Sequence, residues 1–453
     1  MIYVSTRGSA PPLEFSDVLL AGLAVDGGLY VPDQWPELAN GGTDYASRAA
    51  AVMQPFVGSS INSATFLHLC REAYASFRAP EVAPLVHIGP RHHLLELFHG
   101  PTLAFKDVAM QLIGRLFDHV LAAEGRRVTI VAATSGDTGS AAIEAVRHCA
   151  SVDIVVLYPH GRVSEVQRRQ MTTVQAPNVR AVAVEGTFDD CQDLVKAMFN
   201  DAPFRHANSL SAVNSINWAR VMAQVVYYVT ALDTLGRPAS FSVPTGNFGN
   251  VLAGWIARRL GAPVERLVVA SNRNDILTRF FATRRMEVFG VVPTLSPSMD
   301  IQVSSNFERL VFEMNARDGA TTANQMLAFR ADGTLSVTDA QWDEWIAPVF
   351  RAGRCDDEQT LATIARVYAE TGVQIDPHTA VGVAAAPACG DGDVITLATA
   401  HPAKFPDAVE RATGVRPSLP AHLADLLERP ERSTVLPNDL TTIEEFVASD
   451  RGR

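Results

Sequence analysis

The sequence predicts a doubly wound α/β protein in two lobes, with parallel sheets flanked by helices and a small α/β domain in front. Three observations carry this. From Arg126 onward, short β-branched apolar runs alternate with helical patterns, the rhythm of parallel crossovers. After Phe241 the same strand, glycine loop, helix order begins again, which marks a second lobe. The first 95 residues lack that rhythm, and Pro80, Pro84 and Pro90 punctuate their exit.

Taken in order, the opening region has a turn at Asp26-Gly27-Gly28 before LYVP, then helical patterns near Tyr45–Met53 and Ser63–Ala75. RRVTIVAAT reads as a strand, SGDTGS as a small-residue loop and AAIEAVRHCA as a helix. VDIVVLYP followed by VSEVQRRQMTT repeats the unit, as does VRAVAVEG followed by FDDCQDLVKAMFN. SINWARVMAQVVYYVTALDTLG is a long amphipathic helix, whose Asn214, Ser215 and Asn217 serve either a site or capping and packing. FSVPTGNFGNVLAGWIARRLG opens the second lobe, and RLVVASN adds a strand. Residues 281–340 lack clean periodicity and are expected to form a long loop. Ala384–Gly392 has the composition of a linker, DVITLATAHPAKF reads as strand, loop and helix, and the tail carries two short helices. The expected domains are 1–95 and 96–453, the latter split into a smaller lobe at about 96–220 and a larger one at about 221–453.

Composition bounds the function. A net charge of −11 and no basic stripe argue against nucleic acid as a partner. Five scattered cysteines without a CxxC pair fit a reducing compartment, no zinc site and a cytoplasmic location. No apolar run reaches the ~18 residues that a membrane span needs, and the N-terminus has no signal-peptide pattern.

Only three of the 38 basic residues are lysines: Lys106, Lys196 and Lys404. A chain that writes arginine almost everywhere keeps lysine where a primary amine is needed, because a guanidinium neither deprotonates nor forms a Schiff base. Lys106 follows Phe105 and precedes an apolar helical pattern, so it is expected half buried at a helix start, where both settings lower its pKa. Lys196 sits in a polar helix and reads as a solvated lysine. Three strand-to-helix junctions offer backbone N–H groups to anions: Ser135-Gly136-Asp137-Thr138-Gly139, Gly246-Asn247-Phe248-Gly249-Asn250, and Thr399 through Lys404. None has dinucleotide or Walker spacing. An isolated lysine with three anion loops suits a phosphorylated carbonyl cofactor and a carboxylate-bearing substrate.

HGPTLAFKD, TSGDTG, GRVSEVQRRQMTT, NSINWAR, VPTGNFGN, SPSMDI, SNFERL, DPHTAVG and TAHPAKF, with YVSTRG and GLAVDGGLYVP at the front, resemble the signatures of the threonine synthases. These are pyridoxal-phosphate enzymes of the tryptophan-synthase-β type (fold type II), and the resemblance runs from Tyr3 to Leu436. It implies that Lys106 forms the Schiff base with pyridoxal 5'-phosphate, that Gly246, Asn247, Phe248, Gly249 and Asn250 hold the cofactor phosphate, and that the Thr399 hydroxyl meets the pyridine nitrogen. It further implies that Ser135, Gly136, Asp137 and Thr138 take the substrate carboxylate and Lys404 its phosphate. Asp137 as a helix N-cap, His401 as a structural rather than catalytic histidine, and His99 as a loop-shaping residue are the competing readings. The activity implied is conversion of O-phospho-L-homoserine and water to L-threonine and phosphate, with no metal, by a monomer or homodimer. The alternatives are another lyase on the same fold, such as a serine or threonine dehydratase, and a non-catalytic relative.

Overall fold

The computed structural model describes residues 1–449. In the opening region, β1 (Ile2–Ser5) pairs antiparallel with β2 (Leu13–Glu14) and β3 (Tyr30–Pro32). The helices Tyr45–Val57 and Ser63–Tyr74 follow, and the side chains of Asp44 and Asn62 cap their starts. Tyr3 and Phe56 each place a ring 5.7 Å from Trp218, so this unit is packed onto the helix Trp218–Leu235.

The rest of the chain builds two sheets. The hairpin β4 (Leu85–Gly89) and β5 (His92–Glu96) leads into the helix Lys106–Glu124. Four strands follow: β6 (Val128–Ala133), β7 (Val152–Pro159), β8 (Val179–Glu185) and β9 (Leu210–Ser211). Next come β10 (Ala239–Pro244) and β11 (Val264–Ser271), then a small hairpin of β12 (Arg285–Glu287) with β13 (Thr334–Ser336). β14 (Phe350–Arg354), β15 (Val394–Ala398) and β16 (Thr434–Pro437) complete the set. The smaller sheet has the order β16-β8-β7-β6-β9 and is parallel throughout. The larger has the order β14-β11-β10-β15-β5-β4, parallel except for the β4–β5 hairpin at its edge. Both are doubly wound α/β sheets whose central strands, such as β7, β10 and β15, are buried on both faces, hence their continuous apolar runs. Among the described residues, no helix is long and apolar enough to cross a membrane.

Sheet membership does not follow the expected boundaries. β4 and β5 begin the larger sheet before residue 95, and β16 returns from the far end of the chain to the smaller one. The helix Leu440–Ala448 goes with it, burying Ile443 and Val447 in a cluster with Leu194 and Met198.

Two expectations of irregular structure are corrected. Residues 281–340 contain the helices Phe307–Met314 and Gly319–Asp332 as well as the β12–β13 hairpin. The first helix is only eight residues long and buries Glu308, Arg309 and Glu313 alongside its apolar residues. Glu308 is neutralised by Arg7 at 2.9 Å, while Arg309 donates to the carbonyls of Tyr30 and Ile216. The second helix buries only Thr322, Met326 and Phe329. The supposed linker at 384–392 is the end of the helix Pro377–Ala385 and a short 3-10 turn under the larger sheet. Its small residues are there for contact: a Cβ on Gly353 of β14 would lie 2.7 Å from Ala385 Cβ.

His92 illustrates how closely the larger sheet is sealed. Its Nε2 is 2.8 Å from Thr396 Oγ1 across the β5–β15 pair, and burial pushes its pKa down to about 4. A histidine depressed on folding contributes stability that is complete above its unfolded pKa of ~6.5 and is lost as pH falls toward the folded value. The thermal unfolding temperature is therefore expected to fall as the pH is lowered from about 6.5 to about 4. His92→Gln, read by the same melts, is expected to flatten that slope.

Candidate active site

Lys106 is the first residue of the helix Lys106–Glu124, and the strand-like approach to it is pinned to the third anion loop. Ala104 bridges Ala400, and the Phe105 N–H donates to the Thr399 carbonyl at 2.8 Å. The Thr399 hydroxyl has no protein partner among the described residues. Farther along, the helix packs on Asp137–Val146 at Gly114, where a Cβ would come within 2.2 Å of the Ala145 carbonyl oxygen. Lys106 is thus delivered, buried, against the loop that begins the neighbouring helix.

That loop belongs to Asp137. Its Oδ2 lies 3.2 Å from Lys106 Nζ and its Oδ1 lies 2.9 Å from Lys404 Nζ. The Gln167 amide donates to Oδ1 at 2.8 Å, and Ser298 Oγ is 3.2 Å from both Oδ2 and Lys106 Nζ. Burial alone would raise the pKa of Asp137, but the two ammonium groups and the Gln167 bond outweigh it and hold the carboxyl well below its usual range. Burial lowers the pKa of Lys106, with Asp137 pulling the other way. Buried charges of opposite sign here satisfy one another, the condition under which they persist in a core.

Two sequence expectations change with this geometry. Gly136, not Asp137, is the N-cap, at φ 139°, where a Cβ would meet the Gln167 side chain at 2.5 Å. An anion cannot be held by the Asp137 carboxylate, so a substrate carboxylate is left with the loop's backbone N–H groups and the part-exposed hydroxyls of Ser135 and Thr138. Those of Ser135, Asp137 and Thr138 have no partner among the described residues, whereas Thr134 Oγ1 takes those of Gly136 and Gly139 at 2.9 Å. Lys404 is fully buried, and its amine is committed to Asp137 and to the Thr102 carbonyl at 2.7 Å. It is a counter-ion rather than a free cation awaiting phosphate.

The second loop is an anion cradle. After Thr245, whose N–H donates to the Ala270 carbonyl, the five N–H groups from Gly246 to Asn250 have no partner among the described residues. Phe248 turns them to one side with a left-handed φ of 60°, its ring held 5.1 Å from Phe307. Asn247 is tied to Ser215 through its amide and to the Ser305 N–H through its oxygen. Asn250 Oδ1 accepts from the hydroxyls of Tyr227 and Tyr228, leaving its Nδ2 buried without an acceptor.

A second orphan stands nearby. Arg220, in the NSINWAR stretch, is buried with its Nε unpartnered and no carboxylate within ion-pair distance among the described residues. Burial pulls its guanidinium down to about 10, which still leaves it charged at neutral pH, and its charge reaches Lys106. Asn217 proves to be a cap for that helix, accepting from the Ala219 N–H at 3.0 Å. His401 is structural: it accepts from the Ala403 N–H at 3.1 Å, and burial pushes its pKa to about 4. His99 bonds Glu96 at 2.7 Å, and Lys196 pairs on the surface with Asp193 at 2.8 Å.

Residues 82–400 match the model of the pyridoxal-phosphate dependent enzymes, residues 2–74 that of the threonine synthase N terminus, and residues 379–447 that of the threonine synthase C-terminal region. A threonine synthase of Pseudomonas aeruginosa is 55% identical over 100% of this chain and 99% of its own. The chain belongs to the threonine synthase family. The solved threonine synthase of Brucella melitensis, with pyridoxal phosphate bound, is 53% identical and superposes with a TM-score of 0.96 over 99% of this chain and 98% of that one. The yeast threonine synthase superposes at 0.93 with 37% identity, over 99% and 98% of the two chains.

Pyridoxal phosphate, the cofactor of this threonine synthase family, fits the residues present. It requires an amine for its aldehyde and donors for its phosphate, and the structure presents a buried lysine and five free N–H groups in one loop. Arg220, Ser298 and Gln167 are the site residues that sequence reasoning missed. For Arg220 the available signal was its place in NSINWAR, since arginines are everywhere in this chain.

Proposed function

We propose that the protein converts O-phospho-L-homoserine and water to L-threonine and phosphate, by γ-elimination followed by β-hydration. The observation that carries this reading is Arg220, a buried cation with no carboxylate partner among the described residues, in a site that already has a separate backbone cradle for a cofactor phosphate. A substrate that brings its own phosphate satisfies it, together with the spare amide of Asn250.

Lys106 would hold pyridoxal phosphate by its aldehyde and the Gly246–Asn250 N–H groups its phosphate, with the Thr399 hydroxyl at the ring nitrogen. When bound to the substrate amine, the cofactor supplies an electron sink for negative charge developing on the substrate carbons. The N–H groups of Ser135, Asp137 and Thr138 orient the substrate carboxylate. Lys106, freed by the incoming amine, takes the proton from Cα and then from Cβ, work suited to an amine whose pKa burial has lowered. Arg220 holds the γ-phosphate as its C–O bond breaks. Cγ gains one proton to become the methyl group, a water adds its oxygen to Cβ, and Lys106 returns one proton to Cα, with no net oxidation. Asp137 keeps the amine aimed inward and stays ionised because Lys404 never leaves it.

A serine or threonine dehydratase would need no second phosphate site. The test is to mix the holoprotein with O-phospho-L-homoserine and follow phosphate release, threonine formation and the visible cofactor spectrum together. Equimolar phosphate and threonine are expected. Keto acid and ammonia formed from L-threonine, without phosphate release from phosphohomoserine, would favour the dehydratase. The five free cysteines accord with work in the cytoplasm.

A further inference from the structure

We propose that His378 and Asp376 position Ser298 so that its hydroxyl orients the Lys106 amine, making Ser298 a positioning residue for the proton transfers. The inference rests on the reading of Lys106 as the amine that holds the cofactor.

The segment 294–300 is built to a defined shape although it contains only one short 3-10 turn. The Asp300 carboxylate accepts from the Thr294 N–H at 3.0 Å and hydroxyl at 2.7 Å, and from the amides of Asn272 and Asn274 at 2.8 and 2.9 Å. This clamps both ends of the turn onto the loop after β11. At its centre, the Ser298 N–H donates to His378 Nε2 at 3.3 Å. The other ring nitrogen faces Asp376, with Nδ1–H donating to Oδ2 at 2.6 Å. A carboxylate at Nδ1 places the proton there and leaves Nε2 as the acceptor, so Asp376 selects the tautomer that can receive Ser298.

Asp376 is itself immobile. It is fully buried and caps the helix Pro377–Ala385, accepting from the N–H groups of His378 and Thr379 at 3.0 Å. His378 packs 4.8 Å from the Phe405 ring, beside the turn that carries Lys404. The chain of contacts therefore runs from a capped helix, through one imidazole, to the backbone of Ser298. Its hydroxyl ends 3.2 Å from both Lys106 Nζ and Asp137 Oδ2. An amine that must serve more than one carbon needs its direction set by an acceptor that does not itself titrate, and a serine hydroxyl is such a group.

The experiment compares Ser298→Ala, His378→Leu, His378→Gln and the double variant Ser298→Ala/His378→Leu as holoproteins. Ser298→Ala is expected to lower kcat by about 10–100-fold, the scale of losing a partner that orients a reacting group, with KM for phosphohomoserine nearly unchanged. It is also expected to lower the pH midpoint of the visible cofactor band in the substrate-free enzyme, because a bond to the charged form of the Lys106 nitrogen is lost. His378→Leu is expected to reproduce both effects, and His378→Gln, whose amide oxygen still accepts from Ser298, to restore them in large part. The double variant is expected to be no worse than Ser298→Ala. Unchanged kcat and midpoint in Ser298→Ala, or a double variant showing the product of the single losses, would overturn the proposal. If wild-type protein showed no visible band, the reading of Lys106 would fail instead, so the two failures are distinct.

Discussion

Replacing Lys106 with alanine is expected to abolish the visible cofactor band and to lower turnover by on the order of 10⁴-fold or more, while leaving the fold intact. The size follows from the amine having two duties, covalent attachment and proton transfer at successive carbons, and neither Lys404 nor Ser298 can take over. Lys404 is fully buried and bound to Asp137 and the Thr102 carbonyl, and a hydroxyl cannot form the Schiff base. The fold should survive because Asp137 keeps Lys404 and Gln167 as partners, so no uncompensated buried charge is left behind. Spectra, turnover and circular dichroism of the variant check each part. Turnover near the wild-type level would remove Lys106 from the chemistry.

Arg220→Met is expected to lower kcat/KM for phosphohomoserine by about 10³-fold, or ~4 kcal/mol, the scale of truncating one partner of a buried hydrogen-bonded charge pair. The same change is expected to raise the melting temperature of the substrate-free protein, because a desolvated, unpaired guanidinium is removed from a buried position. Inorganic phosphate should stabilise the wild type by mass action and the variant much less. A function gained by an unstable group and a stability gained by removing it are two signs of the same mismatch. Kinetics paired with thermal melts read both. A variant that is less stable and retains its affinity for substrate would place Arg220 in the framework instead.

Much of the architecture was legible because parallel strands buried on both faces must be written as β-branched apolar runs, and because β6 and β10 each end in a small-residue loop opening a helix. Lys106 stood out because lysine is rare here. The same arginine richness hid Arg220, whose meaning lies in a missing carboxylate and not in its residue type. Asp137 was placed in the right anion loop, but the pairing of its side chain with two amines was not legible, since it depends on Lys404 approaching from 267 positions away, beside the last strand of the larger sheet. The helix Phe307–Met314 is short and turns charged residues inward, the helix Gly319–Asp332 buries only Thr322, Met326 and Phe329, and β16 was hidden by its return across the molecule to the smaller sheet. Ser298 lies in a stretch without periodicity, where local pattern says nothing about which hydroxyl faces an amine.

The central claim is that one nitrogen carries the cofactor, and a chain with three lysines allows a clean test. Borohydride reduction of the holoprotein, followed by proteolysis and mass mapping, is predicted to place a single reduced pyridoxal phosphate adduct on Lys106. An adduct on Lys196 or Lys404, or no adduct in a protein that retains its visible band, would contradict it.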